Sequence, residues 1–354
     1  MSPVAAAPVD DVLDALFLPL EAGVLRLSTG ARVLFLRARD GFRLREVAKP
    51  GWRGEQSFKP FADALERSRF RVDARVDGER FDLVLVLPPR QRDEARALFA
   101  RAVQLAALGG VVLACVPNAE GAKSAQADLV ALAKPGGQLS KHKCRVFWTA
   151  PLHGAHDAAL QAEWLALDAP RRNAAGYWSR PGLFAWDRID AASALLAAHL
   201  PHDLAGHVAD LGVGYGYLAS EVIARCAGVT ALDGFEAEQR ALDPAQRNLA
   251  EAQERAGRDV AVALHWHDVT TGLPGRYNAI VSNPPFHQGR ADQPELGRAF
   301  ITAAAKSLAP HGQLLLVANR HLPYEATLTA LFDEVRAVAD EGGFKVITAR
   351  GVRA

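Results

Sequence analysis

The stretch VADLGVGYGYL, residues 208–218, joins a short apolar strand to a turn with three glycines at a spacing of two. An apolar helical pattern, residues 218–226, follows the turn directly. Glycines permit positive φ and let the backbone approach a ligand closely. A glycine turn at the carboxyl end of a strand therefore predicts the floor of a ligand site.

The spacing of these glycines excludes two phosphate-binding motifs. The dinucleotide fingerprint G-x-G-x-x-G is not met, because Tyr217 stands where its third glycine would lie. The sequence also lacks the loop G-x-x-x-x-G-K-[ST] that cradles nucleotide phosphates. Asp210, ahead of the glycines, disfavours an anionic ligand and favours a cationic one.

Strands and helices alternate around this turn, which predicts an α/β fold with a parallel sheet covered on both faces. In the second half of the chain we predict strands at 207–212, 229–235, 260–265, 277–282 and 313–318, and helices at 217–227, 238–256 and 294–309. In the first half we predict a strand, a turn and a strand over 24–38, then a β-α-β unit with a strand at 81–87, a helix at 91–108 and a strand after Gly110.

An internal repeat relates the two halves. The segment FDLVLVLPP, residues 81–89, aligns without a gap on YNAIVSNPP, residues 277–285. A helix follows both copies, and then residues 110–118 match residues 312–320. Because these matches occur in the same order, duplication of one domain explains them better than convergence.

The first copy lacks the polar features of the second. Leu87 stands where the second copy has Asn283, and no glycine turn precedes it. We therefore predict two tandem domains, 1–165 and 166–354, of which the N-terminal one is degenerate and serves in binding. Proline, glycine and arginine cluster without periodicity over 150–180, where the boundary is expected.

The composition is that of a folded protein: of 354 residues, 49% are hydrophobic and 23% are charged. None of the three cysteines lies in a C-x-x-C pair, so we expect no disulfide framework and a reducing cytoplasm. The first residues lack the pattern of a signal peptide, and no apolar run reaches the ~18 residues that span a bilayer. We expect neither export nor membrane insertion.

The positive charge lies mainly in the first half. Residues 1–180 carry 26 Lys and Arg against 20 Asp and Glu, whereas residues 181–354 carry 15 against 20. The first half is therefore the better candidate for a polyanion surface. Its densest basic cluster, which we predict to bind RNA, comprises Lys134, Lys141, Lys143 and Arg145.

The sequence D-x-G-x-G-x-G after a strand, here Asp210 to Gly216, resembles the S-adenosylmethionine motif of class I methyltransferases. The resemblance implies this cofactor, with Asp210, Gly212, Gly214 and Gly216 as binding residues. It also implies an acid at the end of the next strand that binds the ribose hydroxyls. Glu236 matches the family pattern through Ala241, Leu242, Ala245 and Asn248, whereas Asp233 does not and is expected at a strand end or turn.

The resemblance places a further acid or amide after the next strand, near the adenine amino group. Asp268 stands at that position. His265 and His267 precede it two residues apart, but the sequence identifies no third ligand. We therefore predict no metal.

The tetrapeptide Asn283-Pro284-Pro285-Phe286 follows the strand at 277–282 and is the most specific signal in the chain. The prolines end the strand and stiffen the loop. An exocyclic amine on a base is a poor nucleophile until acceptors hold its N–H bonds, and the Asn283 oxygen with the Pro284 carbonyl can supply them. Phe286 would stack on the extruded base, and Asn283 would also adjoin the cofactor.

The segment IVSNPPFHQG, residues 280–289, resembles the loop of bacterial rRNA guanine-N2 methyltransferases of the RsmC/RlmG type. Further matching segments lie within 181–349: Pro181 to Phe184, Asp187, Asp190, Ala318-Asn319, Leu322 to Tyr324, and Gly343 to Val346. The resemblance implies tandem methyltransferase-like domains, a degenerate N-terminal one that helps bind RNA, and methylation of a guanine N2 in 16S rather than 23S rRNA. It also implies ribosomal RNA or a ribosomal subunit as partner, and we expect a monomer. Glu236 departs from the family's more usual Asp.

Two other interpretations stay open. Similar loops occur in adenine-N6 and protein glutamine-N5 methyltransferases, because those nitrogens are planar as well. A non-catalytic RNA-binding assembly factor with two degenerate domains is the second alternative, against which the intact Asp210 to Gly216 turn and Asn283 argue.

Overall fold

The fold is given by a computed structural model that describes residues 10–285, 287–288, 291–292 and 294–353. The chain divides into two compact units, Met1–Ala169 and Pro170–Ala354. No helix in these described ranges is both long and apolar enough to cross a membrane.

The first unit is a seven-stranded sheet with helices. Its strands pair in the order β3-β2-β1-β4-β5-β7-β6. They are β1 Val33–Leu36, β2 Trp52–Glu55, β3 Val72–Asp73, β4 Phe81–Val86, β5 Ala106–Pro117, β6 Pro135–Lys141 and β7 Cys144–Thr149. The helices are α1 Asp11–Glu21, α2 Phe42–Val47, α3 Lys59–Arg67, α4 Arg92–Leu105, α5 Ala122–Leu132 and α6 Ala158–Ala166.

The second unit contains a sheet of the same kind and two short strand pairs, β8 with β9 and β14 with β15. Its strands are β8 Arg171–Arg172, β9 Trp178–Ser179, β10 Ala205–Leu211, β11 Gly228–Glu236, β12 Ala261–Trp266, β13 Tyr277–Ser282, β14 His287–Gln288, β15 Ala291–Asp292, β16 Leu308–Asn319, β17 Phe332–Glu341 and β18 Phe344–Val352. The helices are α7 Ala191–Ala198, α8 Tyr217–Arg225, α9 Leu242–Ala256, α10 Pro294–Ser307 and α11 Glu325–Leu331. The seven main strands pair in the order β12-β11-β10-β13-β16-β18-β17.

Counted from its own first strand, each sheet has the order 3-2-1-4-5-7-6, so the tandem arrangement predicted from the repeat is confirmed. The two repeat segments form the fourth strand of their sheets, β4 and β13. The match extends to one irregularity: pairing with the fifth strand shifts register after Phe81 in one unit and after Tyr277 in the other. Gly110 and Gly312 lie at this shift, where a Cβ atom would meet the carbonyl oxygen of Phe81 at 2.8 Å or of Tyr277 at 3.0 Å.

The core of the second unit lies on both faces of its sheet, because the central strands β10 and β13 are apolar on both sides. Helices α7, α8 and α9 pack on the face that contains Val208 and Val281. Helices α10 and α11 pack on the face that contains Ala209 and Ile280. Burying each large aliphatic side chain contributes about 1.5–3 kcal/mol, so this double packing fixes the strands whose carboxyl ends carry the polar residues.

Three expectations from the sequence are wrong in detail. The sheets are mixed rather than parallel, because β6 with β7 and β17 with β18 form antiparallel hairpins at the end of each sheet. The predicted first strand of 24–38 is absent from the described chain: Leu25 and Leu27 pack against the core without joining the sheet. Helix α4 ends at Leu105, and the next strand begins before the paired glycines rather than after them.

Candidate functional site

The turn from Gly212 to Gly216, here called the glycine turn, lies at the carboxyl end of β10. Its three glycines have φ values of +79°, +55° and +90°, a region that residues with a Cβ rarely adopt. The backbone N–H groups of Gly212 and Val213 donate to the Phe235 carbonyl at 2.9 and 3.0 Å. These bonds hold the turn against the end of β11, and α8 begins directly after it.

Asp210 precedes the glycine turn and is 1% exposed. Its Oδ2 atom is buried and has no hydrogen-bond partner within the described ranges. Burial and the nearby Glu236 carboxylate raise the pKa of Asp210 to about 8, because low polarity and a like charge both disfavour the ionised form. Such a carboxyl group is poised for a ligand that brings positive charge or hydrogen-bond donors.

Glu236 is the last residue of β11 and joins that strand to the glycine turn. Its Oε2 accepts from the Gly214 N–H at 2.8 Å, and its Oε1 accepts from the Glu238 N–H at 2.9 Å. Burial raises the pKa of Glu236 above its usual range. Asp233 lies inside the strand rather than at its end or in a turn, and its Oδ2 accepts from the Tyr277 hydroxyl at 3.0 Å. The structure therefore brings Glu236, and not Asp233, to the glycine turn.

The glycine turn is also held from the side of α9. A Cβ on Gly216 would lie 3.2 Å from the Ala245 Cα. The buried Asn248 side chain donates to the carbonyls of Tyr215 at 2.6 Å and Trp178 at 2.8 Å, and accepts from the Trp178 N–H at 2.8 Å. In the sequence Asn248 is only a family marker, and this supporting role was not predicted.

Asn283 follows β13, whose last residue, Ser282, donates from Oγ to the Leu211 carbonyl at 2.8 Å and so joins the ends of β13 and β10. The Asn283 Nδ2 group donates to Asp190 Oδ2 at 3.0 Å and to Ser193 Oγ at 2.8 Å. Its Oδ1 atom is buried and accepts from no other described residue. Within the described part of the chain Asn283 thus presents an unpaired acceptor, which is the group that an amine substrate requires.

The remaining residues of the tetrapeptide differ in their surroundings. Pro284 is buried and Pro285 is exposed. Phe286, the predicted stacking residue, lies outside the described residues, and its role stays a prediction.

Asp190 and Ser193 come from the start of α7, about ninety residues before their partner. Asp190 is the N-cap of this helix: its Oδ2 also accepts from the Ser193 N–H at 2.9 Å. In the sequence Asp190 is part of the family resemblance without a role of its own, and Ser193 was not predicted at all. An Asp directly ahead of an apolar helical run is an N-cap signature, which could have marked Asp190 as the start of a helix but not as a partner of Asn283.

One cavity brings part of this group together. Asp210, Gly212, Gly214 and Asn283, four of the predicted site residues, line it. Of the other predicted residues, Gly216 ends the glycine turn and Glu236 adjoins it, but neither is among the described residues that line the cavity. Other walls come from Asp190, Ser193, Tyr215 and Phe184, an aromatic residue that is 64% exposed. A buried carboxyl oxygen and a buried amide oxygen, neither with a partner among the described residues, and a floor without side chains fit a cationic cofactor beside an amine. The residues present are therefore those that S-adenosylmethionine would require.

Asp268 lies apart from this group. It follows β12, and its Oδ1 accepts from the N–H and the hydroxyl of Thr270 at 2.9 and 2.6 Å. It is not among the described residues that line the cavity. The structure thus accounts for Asp268 as the cap of a short helical turn, and its predicted adenine contact stays a prediction.

In the first unit, the corresponding strand positions hold apolar residues. Phe35 is the counterpart of Asp210. In the first unit Phe35 pairs with Leu85, in the second Asp210 pairs with Val281, and the repeat aligns Leu85 with Val281. Phe35 is fully buried, so an apolar ring fills the place that the Asp210 carboxyl group has in the second unit. Leu87, which matches Asn283, is 8% exposed and offers no acceptor from its side chain.

The first unit also lacks the open glycine turn. Arg37 stands at the position of the first glycine and keeps a positive φ of 53°. Gln56 matches Glu236, but its amide donates to the Ala38 carbonyl at 2.6 Å and accepts from the Phe58 N–H at 2.9 Å. The side chain is therefore satisfied by its own backbone neighbours, which explains physically why this domain is degenerate.

The predicted RNA-binding residues lie on or beside the hairpin of β6 and β7 in the first unit, here called the basic hairpin, residues 134–145. Lys134, Lys141 and Lys143 are exposed. Arg145 is half-buried and donates from Nη1 to Gln126 Oε1 at 2.6 Å. Three of the four side chains are therefore exposed, with Lys141 and Lys143 at the turn of the hairpin and Lys134 at its open end, and Arg145 is partly committed to the fold.

Comparison with known proteins agrees with this geometry. Residues 175–348 match the family model described as methyltransferase small domain. The second unit belongs to this family. Chains called ribosomal RNA small subunit methyltransferase C are similar in sequence: one from Shewanella baltica (strain OS195) is 29% identical over 81% of this chain and 78% of its own length. Another, from Shewanella amazonensis, is 28% identical over 76% of this chain and 77% of its own length.

A solved structure is similar over both units. It is described as T. thermophilus 16S rRNA N2 G1207 methyltransferase (RsmC) in complex with AdoMet and guanosine, and it covers 98% of this chain and 94% of its own, with a TM-score of 0.73 and 21% identity. This likeness supports the two-domain fold. The predicted resemblance to RsmC-type enzymes is confirmed, and the second unit is a methyltransferase domain.

Proposed function

We propose that this protein transfers the methyl group of S-adenosylmethionine to the exocyclic N2 amine of a guanine in 16S ribosomal RNA. The observation that carries the proposal is the buried Oδ1 of Asn283, which has no partner among the described residues and lies in the same cavity as Asp210, whose Oδ2 likewise has none. The names of the sequence relatives and of the similar solved structure support the choice of RNA and of base.

The cofactor, when bound, supplies an activated methyl group on a positively charged sulfur. Asp210 and the floor of the glycine turn would hold its charged part, and Glu236 its ribose hydroxyls. Glu236 already accepts from Gly214, so cofactor and turn would share one carboxylate. Hydrogen bonds to a charged acceptor are stronger than neutral ones, which favours this acid over an amide.

The target amine needs orientation more than activation by a base. Its lone pair is delocalised into the guanine ring, and acceptors on both N–H bonds turn that lone pair toward the methyl group. Asn283 Oδ1 would accept one N–H and the Pro284 carbonyl the other. The nitrogen becomes acidic as it gains the methyl group, so its proton can pass to solvent without a strong general base.

The first unit would dock the RNA through its basic hairpin. Its turn residues His142 and Lys143 hold positive φ values of 51° and 54°, where the second unit has Gly342 and Gly343. Positive φ is unfavourable for residues with a Cβ atom, so His142 and Lys143 cost conformational energy that glycines at this turn would avoid. This cost, and the exposed lysines beside it, support a contact with the RNA backbone. We also propose that the protein acts as a monomer in the cytoplasm.

The test is methyl transfer from radiolabelled S-adenosylmethionine to small subunits, large subunits and free rRNA from a strain lacking the gene. Digestion to nucleosides and mass spectrometry should place the label in N2-methylguanosine of 16S rRNA. Label in 23S rRNA would refute the choice of RNA, and label only in protein or DNA would refute the choice of target. Cofactor binding without transfer to any of them would favour the non-catalytic alternative.

A further inference from the structure

The side-chain amide of Asn283 has two ends in different environments. Its Nδ2 group is held by Asp190 Oδ2 at 3.0 Å and Ser193 Oγ at 2.8 Å, whereas its Oδ1 atom is buried without a partner among the described residues. We propose that Asp190 and Ser193 are positioning residues that lock this amide with its oxygen toward the target amine. The proposal rests on the function proposed above.

The hydrogen bonds to Asp190 and Ser193 select one of the two orientations of the Asn283 amide, because a carboxylate only accepts hydrogen bonds. If the amide rotated by half a turn, Oδ1 would face Asp190 Oδ2 without a hydrogen between them. The Nδ2 group would then face the target amine, where two sets of N–H donors would oppose each other. Asp190 therefore excludes the one orientation of Asn283 that is incompatible with an amine substrate.

The hydrogen bonds that orient the Asn283 amide are already formed in the protein without substrate. Asp190 is fixed because its Oδ2 also accepts from the Ser193 N–H at 2.9 Å as the N-cap of α7. Helix α7 is itself anchored by Leu196 and Ala197, which are buried in the core of the second unit. A rigid helix end, rather than a loop, thus sets the rotamer that presents Oδ1, and this is the condition for a preorganised site.

The charge of Asp190 has a second effect on Asn283. Hydrogen bonds in a chain polarise one another where the local dielectric is low. An amide that donates to a carboxylate has more electron density on its oxygen, so Oδ1 becomes a stronger acceptor for the amine N–H. An Asn at position 190 would keep the helix cap but weaken both effects.

The decisive experiment is a double-mutant cycle in kcat at saturating cofactor, with cofactor affinity measured in parallel. Asn is a good N-cap, so Asp190→Asn should keep α7 but allow both amide orientations, and kcat should fall about tenfold to a hundredfold. Ser193→Ala should lower kcat about threefold to tenfold, and Ser193→Thr should restore it. In an Asn283→Ala background, Asp190→Asn should cause no further loss.

Asp157 provides the matched control, because it caps α6 in the first unit through the same type of bond, to the Leu160 N–H at 2.9 Å. Asp157→Asn should leave kcat unchanged. If Asp190→Asn has wild-type kcat, or lowers kcat equally with and without Asn283, the positioning role is wrong while the proposed function stands. If Asn283→Ala itself retains full activity, the amide mechanism of the proposed function is wrong.

A second measurement needs no turnover. The chain contains six asparagines, so selective ¹⁵N labelling of asparagine gives a spectrum with few side-chain NH₂ signals. The Asn283 signal, assigned through Asn283→Ala, should exchange slowly with solvent in the wild-type protein and in Asp157→Asn. In the double variant Asp190→Ala with Ser193→Ala it should exchange at least about tenfold faster, since both acceptors are gone. Equal exchange rates in all these proteins would show that Asp190 and Ser193 do not hold the Asn283 amide.

Discussion

The backbone N–H of Gly214 donates a 2.8 Å hydrogen bond to Oε2 of Glu236. This bond couples the acid at the end of β11 to the shape of the glycine turn. Removal of the Glu236 carboxylate should therefore lower cofactor affinity in two ways: the ribose hydroxyls lose their acceptor, and the glycine turn loses a hydrogen bond that holds it.

We expect Glu236→Ala to weaken S-adenosylmethionine binding by about 2–3 kcal/mol, or roughly thirtyfold to two-hundredfold in Kd. Glu236→Gln keeps an oxygen for the Gly214 N–H and should lose less. Isothermal titration calorimetry measures both, with the exposed Glu254→Gln on α9 as the control. Equal affinity in Glu236→Ala and wild type would remove Glu236 from the cofactor site.

Cofactor affinity should depend on pH through Asp210, because burial and Glu236 raise the pKa of Asp210 to about 8. Below this value the ligand-free protein holds the proton, and a positively charged cofactor favours the ionised form, so binding releases a proton. Affinity should rise with pH up to about 8, by at most about tenfold per unit, and then level off.

The pH effect is measured by titrations between pH 6 and 9 in buffers of different ionisation enthalpy. Asp210→Asn should bind more weakly, and its affinity should no longer rise with pH through this group. A wild-type affinity that is flat across the range, or proton uptake on binding, would contradict the assignment.

Each chain should bind one cofactor molecule and not two. Phe35 fills the register position of Asp210 in the first unit, and Gln56 is hydrogen-bonded to its own backbone neighbours. Calorimetric stoichiometry should therefore be about one per chain, as burial of an apolar ring leaves no partner for a charged ligand. A stoichiometry of two per chain would show that the first unit still binds the cofactor.

The basic hairpin should contribute a salt-dependent part of RNA binding. Reversal of Lys141 and Lys143 to Glu should weaken binding to 16S rRNA fragments and lower the slope of log K against log salt by about one for each phosphate that is no longer neutralised. Lys306→Glu, an exposed substitution on α10 of the second unit, is the control. An unchanged affinity and slope in the hairpin variant would refute docking through this surface.

Local patterns in the sequence predict much of this fold. The repeated strand, helix and strand units and the glycine turn are visible because apolar spacing and glycines record local geometry. Of the strands that were not predicted, β6 and β17 lie at the sheet edge, where most side chains are exposed and no apolar alternation is required. The segment before β1 was predicted as a strand because Leu25 and Leu27 alternate with polar residues. These leucines pack against the core, but the segment does not join the sheet.

In the candidate site, too, the sequence predicts some residues and not others. Asp210 and Asn283 are predictable because each belongs to a short motif whose chemistry needs that residue. The partners of Asn283 are not, because Asp190 and Ser193 lie 93 and 90 residues away and meet it only through the packing of α7. The buried bonds of Asn248 to the glycine turn are invisible in sequence for the same reason. Motifs record chemistry, whereas support from distant elements depends on the folded structure.

The proposed function requires that this chain makes N2-methylguanosine in 16S rRNA by means of the Asn283 amide. The decisive test is nucleoside mass spectrometry of 16S rRNA from a deletion strain complemented with wild-type protein or with Asn283→Ala, at equal expression and equal cofactor affinity. We predict that one N2-methylguanosine disappears on deletion, returns with the wild-type protein and stays absent with Asn283→Ala. An unchanged N2-methylguanosine content in the deletion strain, or full restoration by Asn283→Ala, would contradict this function and its mechanism.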